Sequence, residues 1–282
     1  MKNKTRQILI FLFSFSFALQ LYGQQTKKIV ILHSNDTHSQ VTPTDSRAKE
    51  PNKGGYARRM GVIDSIRALE QNVLLLDAGD FFQGTPYFNF FNGRVEVDAM
   101  NRMKYDAVTL GNHEFDNGTD TLAQILKMAN FPVVDANYDV SGTALNELVK
   151  PYIVLERFGM RIGIFGLSPD PRGLIFEKYY RGIVFSDPIK TAVKTSNYLK
   201  KKEKCDLIIC LSHIGTEDIE QNDNDFKIAR ASKFIDVIIG GHSHTLTADN
   251  TAVMNKRGKP VILSQMGKSG LFLGKIELTI SR

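Results

Sequence analysis

Five short apolar runs in this chain each end abruptly in a polar turn, and that pattern constrains the fold more than any other feature. Lys28–Leu32 runs into His33-Ser34-Asn35-Asp36-Thr37-His38, Val73–Leu76 into Asp77-Ala78-Gly79-Asp80, and Tyr105–Leu110 into Gly111-Asn112-His113-Glu114-Phe115-Asp116-Asn117-Gly118. Leu207–Leu211 stops at Ser212-His213, and Val237–Ile239 at Gly240-Gly241-His242-Ser243-His244. Such short, uniformly apolar runs bounded by turn signals read as buried strands.

Helical patterns separate them. Gly54-Gly55 opens a helix to about Glu70 with Met60, Ile63, Ile66 and Leu69 on its apolar face. Further helices are expected near 95–104, 121–130 (capped by Thr119 or Asp120), 188–202 and 226–234. Tyr152–Leu155 and Arg161–Gly166 flank Gly159 as a hairpin, Phe131–Val134 starts another strand, and 260–263 and 271–280 supply closing strands, the last expected to run antiparallel. Apolar strands alternating with helices and interrupted by hairpins indicate an α/β layered domain with mixed sheets. No composition shift marks a linker, so residues 24–282 are expected to form one domain.

Residues 1–23 differ from the rest: Lys2, Lys4 and Arg6 precede a twelve-residue apolar run, Ile8–Leu19, and Leu21-Tyr22-Gly23 ends in a small residue. This is the pattern of a secretory signal peptide, so export to a periplasmic or extracellular space is expected. A membrane span needs about 20 apolar residues, and no stable span is expected after leader removal. The leader carries three basic residues and no acidic one, so its loss takes the net charge from +6 to +3, too mild for a nucleic-acid partner. Cys205 and Cys210 flank one strand-like run; their alpha carbons lie roughly 16 Å apart in an extended chain, beyond the ~7 Å a disulfide spans. The basic end of the helix at 188–202 is read as a solvated face that complements the helix dipole.

Five of the six histidines stand directly after apolar runs, beside glycine, aspartate, asparagine or serine. Ligand-binding loops of α/β proteins gather at such strand ends. Asp36 and His38 are two apart, as are His242 and His244, so an extended backbone would point each pair to one face. With Asp80, Asn112 and His213 they offer oxygen and nitrogen ligands and no thiolate, which suits Zn²⁺, Mn²⁺, Fe or Co²⁺ and not a closed cysteine zinc site. Seven ligands are too many for one tetrahedral ion and suit two ions sharing a carboxylate. Asp80 is the expected bridge, since its charge offsets repulsion between cations roughly 3.5–4 Å apart. Asp116 is placed to hold the His113 imidazole. His33 is read as a packed core histidine or an outer donor, Asp77 as a hydrogen-bonded scaffold, and the aromatic loop Phe81–Phe88 mainly as packing.

The order Asp36-x-His38, Gly79-Asp80, Gly111-Asn112-His113-Glu114, His213 and Gly241-His242-x-His244 resembles the calcineurin-like metallophosphoesterase superfamily. The fuller forms Asn35-Asp36-Thr37-His38, Asp77-Ala78-Gly79-Asp80-x-x-Gln83-Gly84, Gly111-Asn112-His113-Glu114-Phe115-Asp116 and Leu211-Ser212-His213-x-Gly215 resemble its 5′-nucleotidase branch. The resemblance implies a four-layer α/β/β/α sandwich of two mixed sheets flanked by helices. It implies one metal on Asp36, His38, Asp80 and His244 and another on Asp80, Asn112, His213 and His242, with metal hydroxide attacking phosphorus in line. It also implies that His113, oriented by Asp116, stabilises the transition state or protonates the leaving oxygen.

Long exported members carry a C-terminal domain that binds the nucleoside, and this chain stops at Arg282 after the last strand of the metal domain. The expected activity is release of phosphate from nucleotides or other small phosphoesters, with cyclic-nucleotide or nucleotide-sugar hydrolysis as variants. Other readings are a metal-domain subunit that needs a separate specificity polypeptide, and hydrolysis of a sulfur–sulfur bond on the same metals.

Overall fold

The computed structural model describes residues 26–217, 223–247 and 251–281; the expected leader lies outside the described residues. The chain opens with β1 (Thr26–Ser34), α1 (Tyr56–Leu69), β2 (Val73–Asp77), α2 (Pro86–Phe91), α3 (Arg94–Met103) and β3 (Ala107–Val108). It continues through α4 (Gly118–Leu126), β4 (Val133–Val134), β5 (Tyr138–Asp139), β6 (Val149–Lys150) and the hairpin β7 (Tyr152–Arg157) and β8 (Met160–Leu167). The remainder comprises α5 (Glu177–Tyr180), β9 (Val184–Phe185), α6 (Pro188–Lys201), β10 (Leu207–Ser212), α7 (Asp225–Ala231), β11 (Val237–Gly240), β12 (Thr251–Met254), β13 (Pro260–Ser264) and β14 (Gly274–Ser281).

Two six-stranded sheets form, ordered β14-β1-β2-β3-β4-β6 and β12-β13-β11-β10-β8-β7, beside a two-stranded β5-β9 ribbon. In the first sheet β1 runs parallel to β2, β2 to β3, β3 to β4 and β4 to β6, while β14 is antiparallel to β1. In the second, β8, β10, β11 and β13 are parallel, and β7 and β12 are antiparallel edges.

Side-chain alternation along the strands explains the layering. Ile29, Ile31, Leu74 and Leu76 of the first sheet meet Ile162, Ile164, Leu207, Ile209, Leu211, Val237 and Ile239 of the second in one inner core. The intervening Val30, Leu32, Val73 and Leu75 face outward onto Ile63 of α1, Val97 and Met100 of α3 and Leu122 of α4. On the other side Ile208, Cys210 and Ile238 pack on Ala192 and Leu199 of α6 and Ile228 of α7. Strands apolar on both faces therefore produce a helix–sheet–sheet–helix sandwich, the architecture expected. Both cysteines are free and buried. Among the described residues, no helix is long and apolar enough to cross a membrane.

Several local expectations are corrected. In α1 the buried line is Tyr56, Arg59 and Ile63, whereas Leu69 on the last turn is 85% exposed; the Arg59 guanidinium lies over the Tyr56 ring at 5.2 Å. Helix α4 begins at Gly118, ahead of Thr119 and Asp120, and Asn117 in the cap position makes no side-chain cap bond. Its amide donates to Asn92 Oδ1 instead, at 3.2 Å. The stretch expected as an aromatic loop holds α2, whose Pro86 suits a first helical turn because its missing N–H has no partner there. Phe81, Phe82 and Phe88 are buried, with centroids 4.6 and 5.3 Å apart along the series, while Phe90 and Phe91 face solvent.

Candidate active site

All five polar turns leave the C-terminal ends of parallel strands, three from the first sheet (β1, β2, β3) and two from the second (β10, β11). The site therefore spans the mouth of the sandwich rather than one sheet edge. Potential ligand atoms of Asp36, His38 and His244 lie within 4.8 Å of one another, as do those of His38, Asp80 and His113, and those of Asp36, Asp80 and His213. His242 Nδ1 lies 3.1 Å from Asn112 Oδ1, and the His242 ring lies 5.3 Å from that of His213, which brings both residues to the cluster. Every residue expected at the metals is thus brought together, with the His113–Asp116 pair beside them.

The backbone that achieves this is not extended. Asp36 (φ 47°), His38 (45°), Asp80 (55°), His242 (70°) and His244 (53°) all adopt left-handed conformations. This corrects the extended reading of the two-residue spacings. The chain must reverse direction within a residue or two of each strand end, and left-handed residues provide that turn at a cost of about 1–2 kcal/mol each. Close approach also demands glycine at two points. A Cβ on Gly111 would sit 2.2 Å from Asp80 Oδ1, and one on Gly241 would sit 2.7 Å from His213 Nδ1.

The donor set calls for a cation. His213 is fully buried; its Nδ1 lies 2.6 Å from the Ala78 carbonyl and donates to it, so the neutral ring turns its Nε2 lone pair inward. That Nε2 lies 3.0 Å from Asp80 Oδ2 but is not aligned for a hydrogen bond, and it has no partner among the described residues. Burial opposes charge on this ring, yet Asp80 and Asp36 outweigh burial and carry its pKa to about 10, so the two carboxylates favour positive charge at this point. His38 Nε2 and His244 Nε2 face each other at 3.0 Å, where two imidazoles converge on one point. Burial lowers the His38 pKa, and burial with the neighbouring His213 lowers that of His242 to about 4, so both rings are neutral, as ligands must be. Burial alone would raise Asp80; His213 and His113 reverse this and hold it ionised well below the usual range. Oxygen and imidazole donors without thiolate fit a divalent ion.

His113 differs from the other imidazoles. Its Nδ1 sits 2.9 Å from Asp116 Oδ2, and that bond raises its pKa against the opposing effect of burial. Its backbone N–H donates to Asp80 Oδ1 at 2.9 Å, which ties the β3 turn to the β2 turn.

A sequence profile described as calcineurin-like phosphoesterase matches residues 29–246. The chain belongs to this family. It is 34% identical over 282 aligned residues to the trifunctional nucleotide phosphoesterase protein YfkN of Bacillus subtilis, covering 89% of this chain and 18% of YfkN. It is 37% identical over 226 residues to the snake venom 5′-nucleotidase of Crotalus adamanteus, covering 77% of this chain and 37% of that protein. Among solved structures, the 5′-nucleotidase precursor from Thermus thermophilus has a TM-score of 0.83 at 37% identity, over 90% of this chain and 52% of that one. The chain spans about half or less of the length of these relatives. Membership in the calcineurin-like phosphoesterases implies divalent metal cofactors, and the clustered carboxylates and imidazoles are the candidate groups for them.

Three supporting residues were not singled out from the sequence. Glu114 accepts from the backbone N–H groups of Gly111 (2.6 Å), Asp80 (2.9 Å) and Phe82 (3.0 Å), so one carboxylate pins two turns. Asn35 donates to Asp36 Oδ2 at 2.6 Å and to the Gly267 carbonyl at 2.8 Å. Gln265 donates to the Gly241 carbonyl at 2.7 Å and accepts from Ser243 Oγ at 3.1 Å. Ser264-Gln265 closes an apolar run just as the five turns do, and that repeated pattern was the available signal. His33 is a packed core histidine: it is buried, 3.1 Å from Ser264 Oγ, with its pKa lowered by burial to about 4. Asp77 accepts from Ser34 Oγ (2.6 Å) and the Gly79 N–H (2.9 Å), as a scaffold residue would.

Proposed function

We propose that this chain is an exported phosphohydrolase of the 5′-nucleotidase type, releasing phosphate from nucleotides with two divalent cations. The observation that carries the reading is the convergence of five strand-end turns on one acidic, imidazole-rich centre with the His113–Asp116 pair at its side. The relatives named as nucleotide phosphoesterase and 5′-nucleotidase support the substrate class, and the leader-like residues 1–23 support export.

Asp36, His38, Asp80 and His244 would hold one cation, and Asp80, Asn112, His213 and His242 the other. Bound cations neutralise phosphoryl oxygens and make water acidic enough to act as a nucleophile near neutral pH. The Ala78 carbonyl keeps the proton of His213 on Nδ1, away from the centre. Glu114 keeps the Asp80 and Gly111 turns in register. Asp116 raises the His113 pKa and so favours its protonated form, which can bind the phosphoryl group and pass its Nε2 proton to the departing ester oxygen.

The test is phosphate release from AMP by purified mature chain supplied with Mn²⁺, Zn²⁺ or Co²⁺, alongside metal content. Loss of a residue that merely supports a metal ligand costs about 10–100-fold. Asp80→Asn is therefore expected to lose more than that in turnover and to retain fewer cations. Chelation should abolish activity, and added metal should restore it. Equal turnover by Asp80→Asn, or a wild-type protein that binds no cation, would refute the reading.

A further inference from the structure

A cavity of about 440 Å³ lies at the end of the second sheet remote from the candidate metal site, within the ~300–1,000 Å³ range of small-molecule sites. The last turn of α6, the α7–β11 connection and the β12–β13 turn wall it. These segments gather where β10, β11 and β13 begin, whereas the turns carrying His213 and His242 leave the opposite ends of β10 and β11.

The charge on its walls is one-sided. Lys200, Lys233, Arg257 and Lys259 line it against one carboxylate among the described residues, Asp236. That carboxylate is engaged elsewhere, since its Oδ2 accepts from the Ile208 N–H at 2.8 Å. Among the described residues, none of the four cations forms an ion pair. Lys200 Nζ donates to the Cys205 carbonyl at 2.9 Å, which uses one of its three protons. The Arg257 guanidinium stands 5.0 Å over the Phe234 ring. Stacking steadies its flat face and leaves the N–H edge for a bidentate acceptor. A hollow lined by charges of one sign focuses their field and draws in an ion of the other sign.

Asn255 adds an independent observation. It lies on the cavity wall and is only 7% exposed. Its Oδ1 accepts from the N–H groups of Arg257 at 2.8 Å and Lys259 at 3.1 Å, which fixes the orientation of the amide. Its Nδ2 forms no hydrogen bond among the described residues. A buried amide donor calls for an acceptor, and an anion in the cavity supplies one.

We propose that this cavity is a second anion site, separate from the metal centre, and that it takes a phosphate group carrying two negative charges. Lys200, Lys233 and Lys259 supply point charges, Arg257 a planar pair of donors and Asn255 a neutral donor. The phosphate of a soluble molecule and that of a lipid headgroup share this chemistry.

The test uses the zinc-loaded protein and inorganic phosphate, read by nuclear magnetic resonance at the Asn255 side-chain amide, with Asn255→Ala to assign the signal. This signal reports the cavity and not phosphate held at the metals. It is expected to shift saturably in wild type. Lys233→Gln/Lys259→Gln should raise the apparent Kd by about 10-fold or more, as loss of hydrogen bonds to a charged group does. Lys201→Gln/Lys202→Gln removes two exposed charges that do not line the cavity and should leave Kd within about twofold, since solvent and salt screen such charges. Co-sedimentation with phosphatidylcholine vesicles, with and without phosphatidic acid, separates the two sources. Retention on phosphatidic acid that is lost in Lys233→Gln/Lys259→Gln assigns a lipid headgroup; a phosphate shift without such retention assigns a soluble phosphate. The proposal is overturned if the Asn255 signal stays still and vesicle retention is absent or insensitive to the lysine pair. Equal Kd values in wild type and Lys233→Gln/Lys259→Gln, or equal weakening by both lysine pairs, would overturn it as well.

Discussion

Replacing Glu114 with glutamine tests the architecture of the site without touching a proposed metal ligand. The two carboxylate oxygens accept three backbone N–H bonds, two on Oε2 and one on Oε1. A glutamine has one acceptor oxygen, so the better orientation keeps the Asp80 and Gly111 bonds and turns an NH₂ group toward the N–H of Phe82. Two bonds fall from charge-assisted to neutral, at about 1 kcal/mol each, and one buried N–H loses its acceptor, at about 1–3 kcal/mol. Removing a buried charge returns part of this: burial and the neighbouring Asp80 oppose ionisation of Glu114, while the three N–H donors aimed at its oxygens favour the carboxylate. A net loss of about 3 kcal/mol is expected, a substantial part of the ~5–15 kcal/mol that holds a domain folded. Urea unfolding monitored by circular dichroism measures it directly, and turnover at saturating metal should fall as the Asp80 turn relaxes. Wild-type stability and activity in Glu114→Gln would refute the reasoning, because they would mean that the native side chain is a neutral acid that already presents a donor to one of these N–H groups.

Two further outcomes are expected. Asp116→Asn removes the group that raises the His113 pKa and orients its ring; kcat should fall by about 10²–10⁴-fold with KM little changed, measured on AMP. Asp135 is raised to about 6 by burial, against the bonds it accepts from Ser168, Tyr138 and Asn137. Ser168 Oγ also reaches the Leu110 carbonyl at 2.6 Å, so a protonated Asp135 completes the chain by donating to the hydroxyl. Its folded pKa lies above the unfolded value near 3.9. Its stabilisation is therefore complete below about pH 4, declines as pH rises through about 6, and is gone above that, on the order of 3 kcal/mol in all. Asp135→Asn mimics the neutral form and should flatten that part of the stability–pH curve; an unaltered slope would refute the assignment.

Much of the site was legible because donor chemistry and strand ends are local properties. Asp36, His38, Asp80, Asn112, His213, His242 and His244 stand out by residue type and by the apolar run before each. Less legible were features set by neighbours distant in sequence. Leu69 matched the apolar period of α1 yet faces solvent, while Arg59 is buried over Tyr56. Glu114 stands in the sequence only as one residue of the Gly111–Gly118 turn; its role is set by the distant Asp80 and Phe82 N–H groups that donate to it.

The sequence alone determined the alternation of strand and helix, an α/β layered domain with mixed sheets, and the class of ligand atoms offered at the turns. Each depends on the chemistry of a few consecutive residues. Tertiary structure alone decided that the turns belong to two different sheets and meet across their mouth, that five of the seven candidate ligands sit on left-handed backbone, and that a cavity lined by Lys200, Lys233, Arg257 and Lys259 opens at the far end of the second sheet. His38 and His244 are 206 residues apart in the chain and 3.0 Å apart at Nε2. No local pattern encodes such a contact, because it arises only when two separately paired sheets bury their apolar faces against each other.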